Sequence, residues 1–175
     1  MHQGTLRYYH GSCSQTPLDR SSRHGWTAQT MNQPINLRAA SQDDEPFLLQ
    51  LRKLTMTEHL ERVAIPVDDE AHYQRIRSNF EDAQIICEGN RSIGLIKLSR
   101  MTDEWHVHQI QVTPSHQGRG VGKTVLTAVL NEAKRVGVPV TLSVLHGNPA
   151  RRLYDQLGFQ FVAELPKSTK LIWHP

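Results

Sequence analysis

Residues 117 to 124, QGRGVGKT, place three glycines and a Lys-Thr pair within eight positions. Glycines let backbone N–H groups approach an anion with no side chain in the way, and a helix opening just afterwards turns its positive end to the same point. The chemistry this composition permits is the holding of a phosphate. A triphosphate loop of the Walker type needs G-x-x-x-x-G-K-[ST], and the position five before Gly122 is Gln117, not glycine. A dinucleotide fingerprint needs G-x-G-x-x-G, whereas Gly118, Gly120 and Gly122 follow G-x-G-x-G. What fits is Q-x-x-G-x-G, with Gln117, Gly120 and Gly122 in register. The ligand has to be chosen from the rest of the chain.

Upstream, His106 and His108 stand two apart in WHVHQIQV (105–112), so as a strand they share a face, and Glu104 shares it too if the strand begins early. All three are candidate bases, since an imidazole titrates near pH 6.5. The competing reading is a half-buried strand histidine satisfied by a hydrogen bond. Two histidines without a third ligand nearby argue against a metal. Downstream, Asn148 precedes Pro149 and reads as a helix cap, and Tyr154 sits among Leu153, Leu157 and Phe159 as a packed aromatic would.

These groups need a scaffold, and 175 residues with 38% apolar content suffice for one α/β domain. No apolar run approaches a membrane span and no secretory h-region opens the chain, so a soluble, cytoplasmic protein without a membrane partner is expected. Cys13 and Cys87 lack metal or disulfide spacing and are expected as thiols. Of 20 basic and 17 acidic residues, Arg7, Arg20, Arg23 and Asp19 lie in 1–34, leaving 17 against 16. Without a basic stripe, nucleic acid is not an expected partner.

Residues 1–34 are polar and without apolar periodicity, and are expected to be a disordered leader or extension. INLRAA (35–40) alternates as a strand. Ser41 with Asp43, Asp44 and Glu45 opens a helix carrying Phe47, Leu48, Leu51 and Leu54, and a second helix is expected over 68–80. AQIICEG (83–89) and SIGLIKLSRM (92–101) flank Gly89-Asn90 and should pair antiparallel. WHVHQIQV is the fourth strand. A helix follows the glycine loop and ends near Gly137, then come the strand VPVTLSVL (138–145), a short helix over 148–158, and strands FQFVAEL and KLIWH.

The order β-α-α-β-β-β-α-β-α-β-β, with Q-x-x-G-x-G joining strand four to helix three, V-x-P at Val112 to Pro114 and L-Y-x-x-L-G-F at 153–159, resembles the GNAT superfamily of N-acetyltransferases over residues 35–175. The resemblance implies an α/β (α+β) fold: a mixed, mostly antiparallel sheet of about seven strands with four helices, strands four and five splayed. It implies that Gln117, Gly118, Arg119, Gly120, Val121, Gly122, Lys123 and Thr124 hold the pyrophosphate of acetyl-CoA, with Arg119 either on a phosphate or in solvent. It implies that the pantetheine arm pairs with the backbone of Ile110, Gln111 and Val112. Asn148 then contacts the cofactor as well as capping its helix, although six positions separate it from Tyr154 where seven is common.

The implied reaction is acetyl transfer to a primary amine of a small molecule or a protein. An alkyl amine, with a reference pKa of about 10.4, must lose a proton before it attacks. His106 stands eleven residues before Gln117, where family bases often lie, and Tyr154 matches the tyrosine whose hydroxyl faces the thioester sulfur. Neither cysteine sits on these motifs, which favours direct attack over an acyl-enzyme. No metal is required. TMTEHLERVAIPVDDEAHY (55–73) would meet the acceptor, where Glu58, Glu61, Asp68, Asp69 and Glu70 either attract a cationic amine or belong to solvated faces and helix starts. A non-catalytic acyl-CoA-binding module is the alternative, and a homodimer is the expected assembly, by frequency in the family.

Overall fold

The computed structural model of the protein describes residues 33–175, so Cys13 and nearly all of the expected extension 1–34 lie outside the described residues. Strand β1 (Ile35–Ala39) leads through a 3-10 turn into α1 (Glu45–Arg62) and α2 (Asp69–Arg77). Strands β2 (Ala83–Glu88), β3 (Arg91–Arg100) and β4 (Trp105–Val112) follow, then α3 (Val121–Val136), β5 (Val140–Leu145), α4 (Arg151–Gln156), β6 (Gln160–Glu164) and β7 (Ser168–Trp173). They form one sheet in the order β1-β2-β3-β4-β5-β7-β6, antiparallel except for β4 beside β5. This is the expected fold class. No helix among the described residues is long and apolar enough to cross a membrane.

Local chemistry accounts for most boundaries. Ser41 and Asp44 form a capping box before α1, and Arg38 holds the Asp44 carboxylate through both guanidinium nitrogens at 2.8 and 2.6 Å. Asp68 caps α2 by accepting from the Ala71 N–H at 2.9 Å. Gly89-Asn90 turns β2 into β3, and Gly137, at φ 78°, closes α3 in the left-handed region. Alternate residues of β2 and β3 feed two cores: Ile85, Cys87 and Leu95 pack with Leu48, Leu51 and Ile76 of α1 and α2, while Ile86, Ile96 and Trp105 pack with Val125, Leu126 and Val129 of α3.

Two helices are shorter than expected. The cap at Asn148 leaves α4 to begin at Arg151 and not at 148. Helix α2 stops at Arg77 instead of reaching Phe80, because Asn79 turns left-handed at φ 51° and a buried cation collects the helix's last carbonyls. Lys97 of β3, 1% exposed, donates to the carbonyls of Arg75 (3.0 Å), Ile76 (2.5 Å) and Ser78 (2.6 Å). Burial, then Arg75 and Arg52, push its ammonium down to about 8, so it is charged at neutral pH. Lys97→Met takes the shared donor from three carbonyls, that of Ile76 buried and those of Arg75 and Ser78 half-buried, and we expect it to lower stability in urea unfolding by about 3 kcal/mol. A loss under about 1 kcal/mol would show that the α2 terminus does not depend on this ammonium.

Candidate active site

Strands β4 and β5 pair only from Trp105 to Val107 against Val140 to Leu142, and then part. On its other side β4 pairs with β3, but the register slips: Lys97 faces Gln109 while Leu98 faces Val107, so His108 is an extra residue on β4. Such a bulge bends its strand and sharpens the twist, which steers β4 away from β5. Beyond it the β5-facing backbone of Gln109 to Val112 has no strand partner. A cavity of about 360 Å³ fills this gap, lined by Ile110 and Gln111 of β4, Val144 of β5, Asn148 just before α4 and Tyr154 within it.

The glycine loop follows the end of β4. Gln117 anchors it by donating from its side chain to the Val112 carbonyl at 2.9 Å. Gly118 and Gly120 adopt φ 71° and 80°, and a Cβ at either would meet nothing within 4 Å, so backbone conformation and not crowding calls for glycine. Among the described residues no backbone N–H from Gly118 to Lys123 has an acceptor, and the ladder of α3 starts at Thr124, which donates to Gly120 at 2.9 Å. Six successive donors at the positive end of a 16-residue helix are the arrangement an anion calls for. A methyl group on Gly122 would lie 3.4 Å from Leu153, so Val121 and Gly122 start α3 directly against the segment that carries Tyr154. Lys123 and Thr124 are exposed on the first turn, and Arg119, 46% exposed, is paired with Glu88 at 3.1 Å.

Tyr154 is buried with its ring edge-on to Phe159 at 5.9 Å, and its hydroxyl has no protein partner among the described residues. Burial pushes the phenol up to about 12. Asn148 caps α4 by accepting from the Ala150 N–H at 2.9 Å, and the same residue lines the cavity. The two histidines share a face, rings 4.7 Å apart and edge-on, but only His108 lines the cavity. His106 lies behind it, its Nδ1 2.8 Å from the Thr141 hydroxyl. His108 Nε2 lies 2.7 Å from the Ser99 hydroxyl, which donates in turn to Asp82. Burial holds both rings below the usual histidine value, helped at His106 by His108 and at His108 by Arg75. Both are therefore neutral at pH 7.

On the acceptor side, four of the acids follow the second of the two readings the sequence left open, that of helix starts and solvated faces. Glu58 pairs with Arg62, Asp69 pairs with Lys53, Asp68 is the α2 cap and Glu70 accepts from Gln74, so these acids serve helices and their surfaces. The cavity wall there carries arginines. Arg52 of α1 is 7% exposed, and Arg75 of α2 donates to the His108 carbonyl at 3.3 Å. The sequence held a signal for Arg52: it falls four residues after Leu48 and one after Leu51, on the buried stripe of α1 where a leucine would be ordinary.

The chain matches the acetyltransferase (GNAT) family over residues 48–159. It is 36% identical over 62 residues to the L-methionine sulfoximine/L-methionine sulfone acetyltransferase of Salmonella typhimurium, covering 34% of this chain and 36% of that protein. It is 35% identical over 78 residues to the [ribosomal protein bS18]-alanine N-acetyltransferase of Haemophilus influenzae, covering 44% of this chain and 53% of that protein. The alignments thus span about a third to a half of these relatives. In fold it is similar to the PaiA N-acetyltransferase of Thermoplasma acidophilum, solved in complex with coenzyme A, with a TM-score of 0.64 and 16% identity over 81% of this chain and 99% of the other. With the splayed strands, the glycine loop and a family match over well more than half of its length, the chain belongs to the acetyltransferase (GNAT) family.

Proposed function

We propose that residues 35–175 form a domain that transfers the acetyl group of acetyl-CoA directly to a primary amine. The observation that carries this reading is the run of six unpaired N–H groups at the start of α3, placed at the end of a strand gap that leads to the Tyr154 hydroxyl. The donors suit a pyrophosphate, supported by Lys123, Thr124 and an Arg119 released from Glu88. The unpaired backbone of Ile110 to Val112 suits the amides of pantetheine, as an added strand would. The Asn148 amide nitrogen is a further donor along that path. The Haemophilus influenzae relative is by name an alanine N-acetyltransferase, which supports an amine acceptor.

In this reading His108 takes the proton that the amine must lose, and Ser99 and Asp82 orient its ring. The amine nitrogen bonds to the thioester carbonyl carbon, the carbon–sulfur bond breaks, and the sulfur departs as thiolate. A phenol held at about 12 keeps its proton beside a thiolate whose acid is near 8.5, so Tyr154 donates a hydrogen bond to the leaving sulfur; the ammonium sheds one proton before attack and the nitrogen a second as the amide forms, and His108 passes each in turn to solvent. His106 buttresses the His108 ring.

Because a base must be neutral and His108 is held below 6.5, kcat/KM should be level at pH 7 and fall as pH drops through that lowered value. His108→Gln should remove this acid limb and cost about 10²-fold in kcat, with a smaller loss in His106→Gln. An acid limb that vanishes only in His106→Gln would transfer the role to His106. The function itself is tested by thermal melting with acetyl-CoA, coenzyme A, ATP and NAD in parallel, followed by thiol release over an amine panel. A shift with the coenzyme A compounds alone, plus thiol release, is the expected result. Binding without turnover would make the domain an acyl-CoA-binding module.

A further inference from the structure

The polar groups of the cavity's acceptor side show what kind of amine it takes. Arg52 and Arg75 both line the cavity and both reach one end of the Gln109 side-chain amide, 3.0 Å from Arg75 Nε and 3.2 Å from an Arg52 terminal nitrogen; since both guanidinium atoms are donors, that end is assigned as the amide oxygen. Two guanidiniums therefore already converge on one sp² oxygen. Neither has a carboxylate partner among the described residues, and the Nε of buried Arg52 has no partner at all. Burial, then the charge of Arg75, push Arg52 down to about 10, and burial lowers Arg75, so each remains a cation at pH 7 with no anion compensating it. A neutral amide is a poor counterpart for two converging cations in a partly dry site. A bidentate carboxylate is a good one.

The position distinguishes this anion from those of coenzyme A. Arg75 acts at His108 and Gln109 and Arg52 at Gln109, on the bulge, whereas the glycine loop begins beyond Val112, past about 10 Å of further strand. Arg75 donates to the backbone carbonyl of His108, and His108 lines the same cavity as both arginines, so a carboxylate held by the pair shares that cavity with the candidate base.

We propose that Arg52 and Arg75 form a carboxylate clamp in the acceptor half of the cavity, and that the amine acetylated is the α-amino group of a free amino acid. This rests on the transferase reading above and narrows it: a protein N-terminus carries an amide where the clamp requires a carboxylate.

The test separates the two readings. Calorimetry of the full chain loaded with coenzyme A, titrated with a panel of N-acetyl-L-amino acids and their matched carboxamides, should show a best acid binding about 100-fold more tightly than its amide. Arg52→Met and Arg75→Met should each remove most of that preference while leaving amide and coenzyme A affinities unchanged, and Arg52→Lys should retain part of it. Equal binding of acids and amides by the unaltered protein would overturn the clamp, as would variants that weaken both ligands alike. Thiol release with the parent amino acids reports separately on the enzyme. An acid preference without thiol release would leave the clamp standing and sink the transferase reading.

Discussion

Replacing Gly120 by aspartate is expected to weaken coenzyme A binding about 10³-fold. Gly120 sits at φ 80° with open space before it, where a Cβ costs roughly 1–2 kcal/mol in conformation. The added carboxylate would stand among the N–H groups of Gly118 to Lys123, within a few ångströms of the pyrophosphate. Two charges about 4 Å apart repel by about 4 kcal/mol at an effective dielectric of 20. The charge is the larger effect, so Gly120→Ala should lose only about 10-fold, through conformation alone. Calorimetric titration of both variants separates the two causes, and melting of the ligand-free proteins verifies that each is folded. Aspartate and alanine weakening binding equally would mean that no phosphate approaches this loop; undiminished affinity in both would move the cofactor elsewhere.

Tyr154→Phe carries the second large expectation, a fall of 10²- to 10³-fold in kcat with KM for acetyl-CoA nearly unchanged. Removing one donor from a charge that develops only in the transition state costs about 3–4 kcal/mol in a water-poor site. The ring stays, so its packing on Phe159 and its place in the core persist. Because burial pushes the phenol up to about 12, the donor is intact through the whole practical range, and the unaltered protein should show no alkaline decline assignable to Tyr154 below about pH 11. The same shift has a stability consequence. A group raised above its unfolded value of about 10 adds stability that is complete below that pH and is lost as pH rises toward 12. Tyr154→Phe should therefore unfold with less alkaline sensitivity than the parent. Unchanged kcat in the phenylalanine variant would leave the tyrosine a packing residue only.

The structure places its ingredients at different distances from the sequence. The glycine loop is local: its helix start, its left-handed glycines and its spacing after β4 are all written within about ten residues, so a linear reading finds them. Tyr154 and Asn148 are legible for the same reason, since one short helix with its cap sets both. The histidine pair is legible as a pair but not as two roles. Alternation puts His106 and His108 on one face, yet only the bulge, a slip in pairing against β3, makes His108 the extra residue and brings Gln109 to the arginines.

What the sequence by itself determined, then, is whatever depends on neighbours in the chain: element order, capping residues, the glycine loop, and the family resemblance those motifs carry. Tertiary structure alone decided which histidine meets the cavity, that Asp69 pairs with Lys53 of α1, and that Arg52, Arg75 and the buried Lys97 face one another from α1, α2 and β3. The physical reason is that strand register and helix docking are fixed by contacts between residues tens of positions apart. The charge an acceptor meets is a property of those contacts, and no local pattern encodes it.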